Sequence, residues 1–487
     1  MAGLLIAGTT SDAGKTLVTT GLCRALARRG VSVAPYKAQN MSNNSMVADP
    51  GVEIGRAQWI QALAAGVTPE PAMNPVLLKP GSDRRSHVVL MGRPWGEVSS
   101  ADWLEGRRAL ATAAHAAYDD LASRYDVVVA EGAGSPTEIN LRAGDYVNMG
   151  LARHAGMATV VVGDIDRGGV FAAFLGTVAF LSPEDQALVA GFVVNKFRGD
   201  ATLLQPGLDS LEKATGRTVY GILPWQPDVW LDSEDALDLG GVRRSRPGAR
   251  RVAVIRLPRI SNFTDVDALR LEPELDVVFA SHPGALADAD LIVLPGTRST
   301  IADMAWLRAR GLADAVIAHA AAGRPLLGIC GGFQMLGRVV RDPAGVEGEP
   351  TEVPGLGLLD VETDFVAEKT LRLPHGTWLG TTASGYEIHH GRVAVGSTED
   401  DFLAGARRGQ IFGTMWHGAL EGDALRSRFL HETLGVAPSG VSFPAARESR
   451  LDRLGDLVEQ HLDVDALLAL ALRDAPADVP FLPPGAP

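Results

Sequence analysis

The chain has 487 residues and only two cysteines, Cys23 and Cys330. Two thiols cannot build a disulfide framework, so the expected setting is a reduced, cytoplasmic one. Positive charge is also scarce: 45 Lys and Arg stand against 58 Asp and Glu, a formal charge of −13. That balance argues against a general nucleic-acid binder. No apolar run reaches the roughly 20 residues of a membrane span, so no membrane partner is expected. The first residues, MAGLLIAGTTSDAGKT, have no basic segment ahead of the apolar one, unlike a secretory signal. What is present is core material. Hydrophobic residues make up 46% and charged residues 21%, which excludes disorder, collagen and coiled coil as overall descriptions. At about 100–200 residues per domain the length predicts two to four domains.

Short β-branched runs alternate with Ala/Leu-rich helical stretches. Leu4–Ala7, Val127–Ala130, Thr159–Val162, Gly191–Val194, Val252–Ile255, Leu291–Leu294 and Pro325–Ile329 read as buried strands. Continuous apolar strands suit parallel sheets covered on both faces, so the fold class is α/β. Around 232–251 an acidic patch (Asp232, Glu234, Asp235, Asp238) gives way to GGVRRSRPGARR, which reads as a linker. The expected division is 1–232, a linker over 233–250, a second domain over 251–437, and an extension over 438–487. In that extension Leu451, Leu454, Leu457 and Val458 form a helical stripe, and PADVPFLPPGAP reads as a frayed tail.

Between the first strand and an amphipathic helix lies Gly8-Thr9-Thr10-Ser11-Asp12-Ala13-Gly14-Lys15-Thr16. A strand, a glycine loop ending in GKT and a helix make a phosphate cradle, because free backbone N–H groups and the helix dipole face the anion. Lys15 would reach the β- and γ-phosphates of ATP and Thr16 would bind Mg²⁺. The first glycine stands one residue further out than in the strict G-x4-GK[ST] pattern. Asp49 and Glu131 are the candidate carboxylates for the same ion, Glu131 because it follows a strand at the edge where ligands bind. Asn195 and Lys196 follow another strand, a place suited to reading a purine base. The loops Lys37-Ala38-Gln39-Asn40, Ser42–Ser45 and Gly163–Gly169 are polar clusters at strand ends.

In the second half Pro325–Ile329 leads into Cys330-Gly331-Gly332-Phe333-Gln334. G-x-C-x-G is the cysteine form of a nucleophile elbow, where a strained turn lifts the sulfur above the sheet. Gly331 N–H could supply half of an oxyanion hole, and the turn at Gly296-Thr297 the other half. A thiolate nucleophile needs a base, and His417 in GTMWHG is the leading candidate; His389 and His390 are its rivals.

Taken together, GTTSDAGKT, YKAQNMSNNS, EGAGSPTEINL, GDIDRGG, NKFRGD, RLPRISNFTD, PGTRST, GICGGFQMLG, GYEIHHGR and GTMWHG resemble the cobyric acid synthase family, from about residue 4 to 462. The resemblance implies a dethiobiotin-synthetase-like P-loop ATPase domain followed by a class I glutamine amidotransferase domain of flavodoxin-like α/β fold. By it, Cys330 is the glutaminase nucleophile, His417 its base, and Gln334 part of the glutamine pocket. Most class I domains carry Glu two residues after the histidine, where this chain has Ala419. Either another group orients His417 or Glu421 substitutes.

The implied reaction is ATP-dependent amidation of the b, d, e and g propionates of adenosylcobyrinic a,c-diamide, with L-glutamine as nitrogen donor. The corrinoid polycarboxylate is anionic like the protein, so local cations must override the net charge; Lys79, Arg84, Arg85, Arg142 and Arg167 are candidates. Cobyrinic acid a,c-diamide synthase and CTP synthase share these modules. A ParA/MinD-like switch would carry a second lysine where this chain has Thr10, and would lack the cysteine domain.

Overall fold

The computed structural model describes residues 2–82, 85–99, 103–226, 248–473, 475 and 478–485. The first half is built on six parallel strands: β1 (Gly3–Gly8), β2 (Val33–Tyr36), β3 (Val127–Glu131), β4 (Ala158–Asp164), β5 (Val189–Phe197) and β6 (Thr218–Pro224). Their order is β6-β5-β4-β1-β3-β2, every pairing parallel. The segments GLLIAG, VVVAE and ATVVVGD are buried along their whole length, as strands covered on both faces must be. The strand order reverses direction at β1, so its carboxyl end is the crevice where such sheets take ligands. Helix α1 (Lys15–Arg28) starts there.

The polar stretch 37–45 is more ordered than a solvated loop. Gln39–Met41 joins a four-stranded sheet with Val76–Ser82, Arg85–Leu90 and Arg93–Ser99. Ser45–Ala48 pairs with Val52–Gly55 in a buried hairpin that leads into α2 (Arg56–Ala65).

The second half repeats the logic with β7 (Arg250–Ile255), β8 (Leu275–Ala280), β9 (Leu291–Leu294), β10 (Leu326–Ile329), β11 (Ala406–Arg408) and β12 (Ile411–Thr414). The order is β8-β7-β9-β10-β12-β11, parallel except for β11 at the edge. Helix α3 (Gly331–Leu336) leaves β10 directly. All seven strands expected from sequence are present. Residues 233–247 of the expected linker lie outside the described residues, and β7 begins at Arg250.

The carboxyl-terminal extension folds back over the first half. Helix α4 (Phe443–His461), capped by Ser442, lies along α1. Its buried Leu451, Leu454, Leu457 and Val458 form the expected stripe. Gly21 of α1 is required there, since a side chain would strike Val458 and the Leu454 carbonyl. Arg24 pairs with Asp452 and Glu448, Arg28 with Asp456, and Arg29 with Glu459 and Asp465. The described residues 478–485 of the tail are not frayed as its composition suggested. Gln186 exchanges hydrogen bonds with the Leu482 backbone at 2.8 and 2.9 Å, and Gly485 N–H donates to Ala179 O. Backbone polar groups of a Pro/Gly-rich segment need partners once it lies on the surface of a domain, and here the Gln186 side chain and the Ala179 carbonyl supply them.

Candidate active sites

The phosphate loop sits at the carboxyl end of β1. Gly14 takes φ 101° and lies so close to Asn195 Nδ2 that no side chain would fit. Asn195 Nδ2 donates to Ala13 O at 2.9 Å, and Lys196 Nζ donates to Asp12 O and to Asp164 Oδ2, each at 2.9 Å. Both residues therefore brace the loop. Lys15 Nζ donates to the carbonyls of Thr10, Ser11 and Gly134 at 3.0, 2.9 and 3.1 Å, which draws the loop and the Gly132–Gly134 turn together.

Glu131, at the end of β3, is fully buried. Thr16 Oγ1 donates to its Oε1 at 2.8 Å, Lys37 Nζ to the same oxygen at 2.9 Å, and Gln61 Nε2 to Oε2 at 2.6 Å. Burial raises its pKa, but the Lys37 charge and these three hydrogen bonds outweigh burial and hold it below the usual range. A buried carboxylate beside a threonine hydroxyl is a hard oxygen donor pair. The buried Gln61 Oε1 has no hydrogen-bond partner among the described residues. This donor set fits Mg²⁺, which keeps phosphate and water oxygens as its other ligands.

Asp49 is not part of this group. It is exposed in the turn between Ser45–Ala48 and Val52–Gly55, and the adjacent Gly51 lies against the Leu371 carbonyl of the second half. A carboxylate next to Pro50 serves the turn, and the expectation that it binds the metal is corrected.

The nucleophile site follows from the pairing of β10 with β12. Ile329 sits opposite Thr414, and Cys330 N–H donates to Thr414 O at 2.8 Å, so the chain ends carrying Cys330 and His417 emerge side by side. Cys330 takes φ 49°, ψ −111°, the strained elbow anticipated from G-x-C-x-G. Gly332 packs on the Leu294 carbonyl at the end of β9, where a side chain would collide. Gly296 lies against the His417 ring, and Gly331 against Thr297. Gln334, buried, accepts from Thr300 Oγ1 at 3.1 Å.

His417 is buried beneath this elbow. Its Nδ1 lies 2.7 Å from Asp265 Oδ2, and Gly418 N–H donates to Asp265 Oδ1, also at 2.7 Å. Burial alone would lower the histidine's pKa, but the charges of Asp265 and Cys330 and their hydrogen bonds push it up to about 10. An imidazolium is thus held beside the Cys330 sulfur. Asp265 is the functional residue that sequence reasoning missed. Glu421, the alternative raised for orienting His417, instead binds Arg56 and Arg447. The rivals for the base differ from His417. Burial pushes His390 down to about 4, and His389 Nδ1 binds Gly391 O at 2.8 Å.

Cys330 opens on a cavity of about 200 Å³ between the two halves. Gln334, Arg298, Thr300 and Glu347 line it on the amidotransferase side, and Asn43, Lys79 and His87 on the ATPase side. The cations expected to receive the acceptor are mostly committed. Arg142 binds Asp185, Arg167 binds Asp12, and Lys79 is buried against Glu53; Arg84 lies outside the described residues, and Arg85 lies in the strand next to the one carrying Lys79.

Residues 4–238 match the family described as CobQ/CobB/MinD/ParA nucleotide binding domain, and residues 251–425 the CobB/CobQ-like glutamine amidotransferase domain. The fold and site are those of an ATP-using, glutamine-hydrolysing amidotransferase. The cobyric acid synthase of Mycolicibacterium vanbaalenii is 80% identical over 490 residues, that of Mycolicibacterium gilvum 79% over 491, and that of Mycobacterium tuberculosis 75% over 494; each alignment covers 100% of both chains. The chain belongs to the cobyric acid synthase family, and its activity is ATP-dependent, glutamine-hydrolysing amidation in cobalamin biosynthesis. Among the described residues no helix is long and apolar enough to cross a membrane.

Proposed function

We propose that the chain converts adenosylcobyrinic a,c-diamide to adenosylcobyric acid by amidating its b, d, e and g propionates in the cytoplasm. The work is divided between an ATPase domain over 1–232, covered by the 438–487 extension, and a glutaminase domain over 251–437. A carboxylate does not react with ammonia, because oxide would have to leave. Transfer of the ATP γ-phosphoryl group to the carboxylate gives an acyl phosphate, from which phosphate leaves readily. In this reading Lys15 swings from the loop carbonyls to the transferring phosphate, with Asn195 and Lys196 keeping Gly14 and the cradle in shape. Thr16 and Glu131 would hold Mg²⁺, which supplies charge neutralisation at the phosphates.

In the other half the Cys330 thiolate attacks the glutamine amide. A thioester forms, and His417 gives its proton to the departing nitrogen. Gly331 N–H and the Gly296–Thr297 turn would stabilise the oxyanion. Water then cleaves the thioester with His417, oriented by Asp265, as base. Ammonia reaches the acyl phosphate as NH₃, since NH₄⁺ has no lone pair.

The observation that carries this reading is Cys330, backed by the His417–Asp265 pair, opening on a cavity whose far wall belongs to the ATPase half. The test supplies purified protein with ATP, Mg²⁺, glutamine and the diamide, and weighs the product. Four added amides support the reading; none on the diamide but two on cobyrinic acid would make it a cobyrinic acid a,c-diamide synthase, and none on either would refute it.

A further inference from the structure

The catalytic histidine is not held by its own half of the chain alone. Asn262 begins the single turn Phe263–Val266 that carries Asp265. Its backbone is left-handed, at φ 49°, and Asp265 N–H donates to its carbonyl. The Asn262 side chain reaches across the domain boundary: its Oδ1 accepts a 2.9 Å bond from the backbone N–H of Ser45. Ser45 is itself buried in a polar knot. Its hydroxyl donates to Glu53 Oε1 and accepts from Lys79 Nζ, both at 2.8 Å. Glu53 also binds Lys369 of the amidotransferase half at 2.5 Å.

A second tie lies on the other side of His417. The segment running on from the histidine ends in Glu421, whose Oε1 accepts from Arg56 Nη2 at 2.9 Å. Arg56 is 1% exposed, and Arg447 of α4 binds the other oxygen of Glu421 at 2.5 Å. Each of the two segments that place His417 is therefore fastened to the ATPase half by a polar bond, buried at Asn262 and part-buried at Glu421. Both ties come from one hairpin and the first residue of α2. Five residues along that helix, Gln61 binds Glu131 beside the phosphate loop.

We propose that Asn262 and Arg56 are positioning residues for glutamine hydrolysis, through which the ATPase half holds Asp265 and His417 over Cys330. The inference rests on the reading of Cys330 and His417 as the glutaminase centre. Neither residue hydrogen-bonds Cys330 or His417, and Asn262 meets the cavity on which Cys330 opens only at its lining. They act by fixing where the base stands, and a misplacement of about 1 Å costs on the order of 10²-fold in rate.

The full-length Asn262→Gly variant tests this. Glycine keeps a positive φ at no steric cost, so the turn survives while the bond to Ser45 is lost. The kcat for glutamine hydrolysis is expected to fall about 10–100-fold, with KM for glutamine moving by less than about threefold. Synthesis from added ammonia should be unchanged. Asn262→Asp, which keeps the accepting oxygen and tolerates the left-handed backbone, should restore kcat. Arg56→Met should lower kcat in the same way, and adding Glu421→Gln to it should bring no further loss. Wild-type kcat in Asn262→Gly, an equal loss in Asn262→Asp, or parallel loss of ammonia-driven synthesis would overturn the proposal. Residual glutamine-driven synthesis in Cys330→Ala would instead refute the glutaminase assignment, so the two failures are separable.

Discussion

Asp265 Oδ2 stands 2.7 Å from His417 Nδ1, across 152 positions of sequence. The carboxylate does two things from there. It fixes the ring so that Nε2 is the nitrogen left for the sulfur, and it stabilises the imidazolium that forms when the nucleophile gives up its proton. The position two after the histidine is then free to be Ala419, because the carboxylate arrives from a turn at the far end of β7.

Asp265→Asn keeps the shape and removes the charge. Glutamine-driven synthesis should fall by about 10²–10⁴-fold, with ammonia-driven synthesis retained. The pH dependence of stability should change too. Folded His417 holds its proton to about pH 10, against 6.5 for a free side chain. A raised histidine stabilises fully below the unfolded value and loses that contribution as pH rises through the folded one. The gap in melting temperature between wild type and variant should therefore be widest near pH 6 and close toward pH 10. A gap that does not change across this range would show that the two side chains are not ion-paired.

Cys330→Ala should abolish glutamine hydrolysis and glutamine-driven synthesis while leaving synthesis from ammonium salts at high pH. The measurement is product mass with each nitrogen source. Loss of both in a folded variant would contradict the division of labour.

Glu131→Gln preserves volume at the end of β3 but removes the charge facing Thr16. Synthesis from either nitrogen source should drop by about 10²-fold or more, and the Mg²⁺ concentration needed for half-maximal rate should rise. Glutamine hydrolysis measured alone should persist. Asp49→Asn, at the exposed turn, should leave all of these unchanged.

Leu454→Ala removes a fully buried side chain between α4 and α1. A loss of about 2–5 kcal/mol is expected, read from chemical denaturation. A loss well under that range would mean that the extension is only loosely applied.

The parts of the site legible in sequence are those written in contiguous residues. GTTSDAGKT declares a strand, a cradle and a helix together, and GICGG declares a strand and an elbow. His417 could be named because the nucleophile created a demand for a base. Asp265 could not, although it lies within the quoted RISNFTD stretch, because its role depends on β7 lying next to β9 while β12 lies beyond β10. Asp49 was misassigned for the opposite reason: its chemistry was right, but its place in a turn was set by hairpin pairing. Lys79 looked like a surface cation and is instead buried against Glu53, with burial first and Lys369 next to it pulling its pKa down to about 8 despite the attraction of Glu53. The tail looked structureless because its composition says nothing of Gln186 and Arg217, which are waiting for its backbone.

The packing of α4 on α1 has a consequence for how the enzyme comes into being. The partners of Arg24 and Arg29 on this cover stand 424 to 436 positions further along the chain. The outer face of α1 is therefore closed by contacts of very long sequence separation, whose loop-closure entropy must be met before the contacts repay it, so this closure is expected to be a late step of folding.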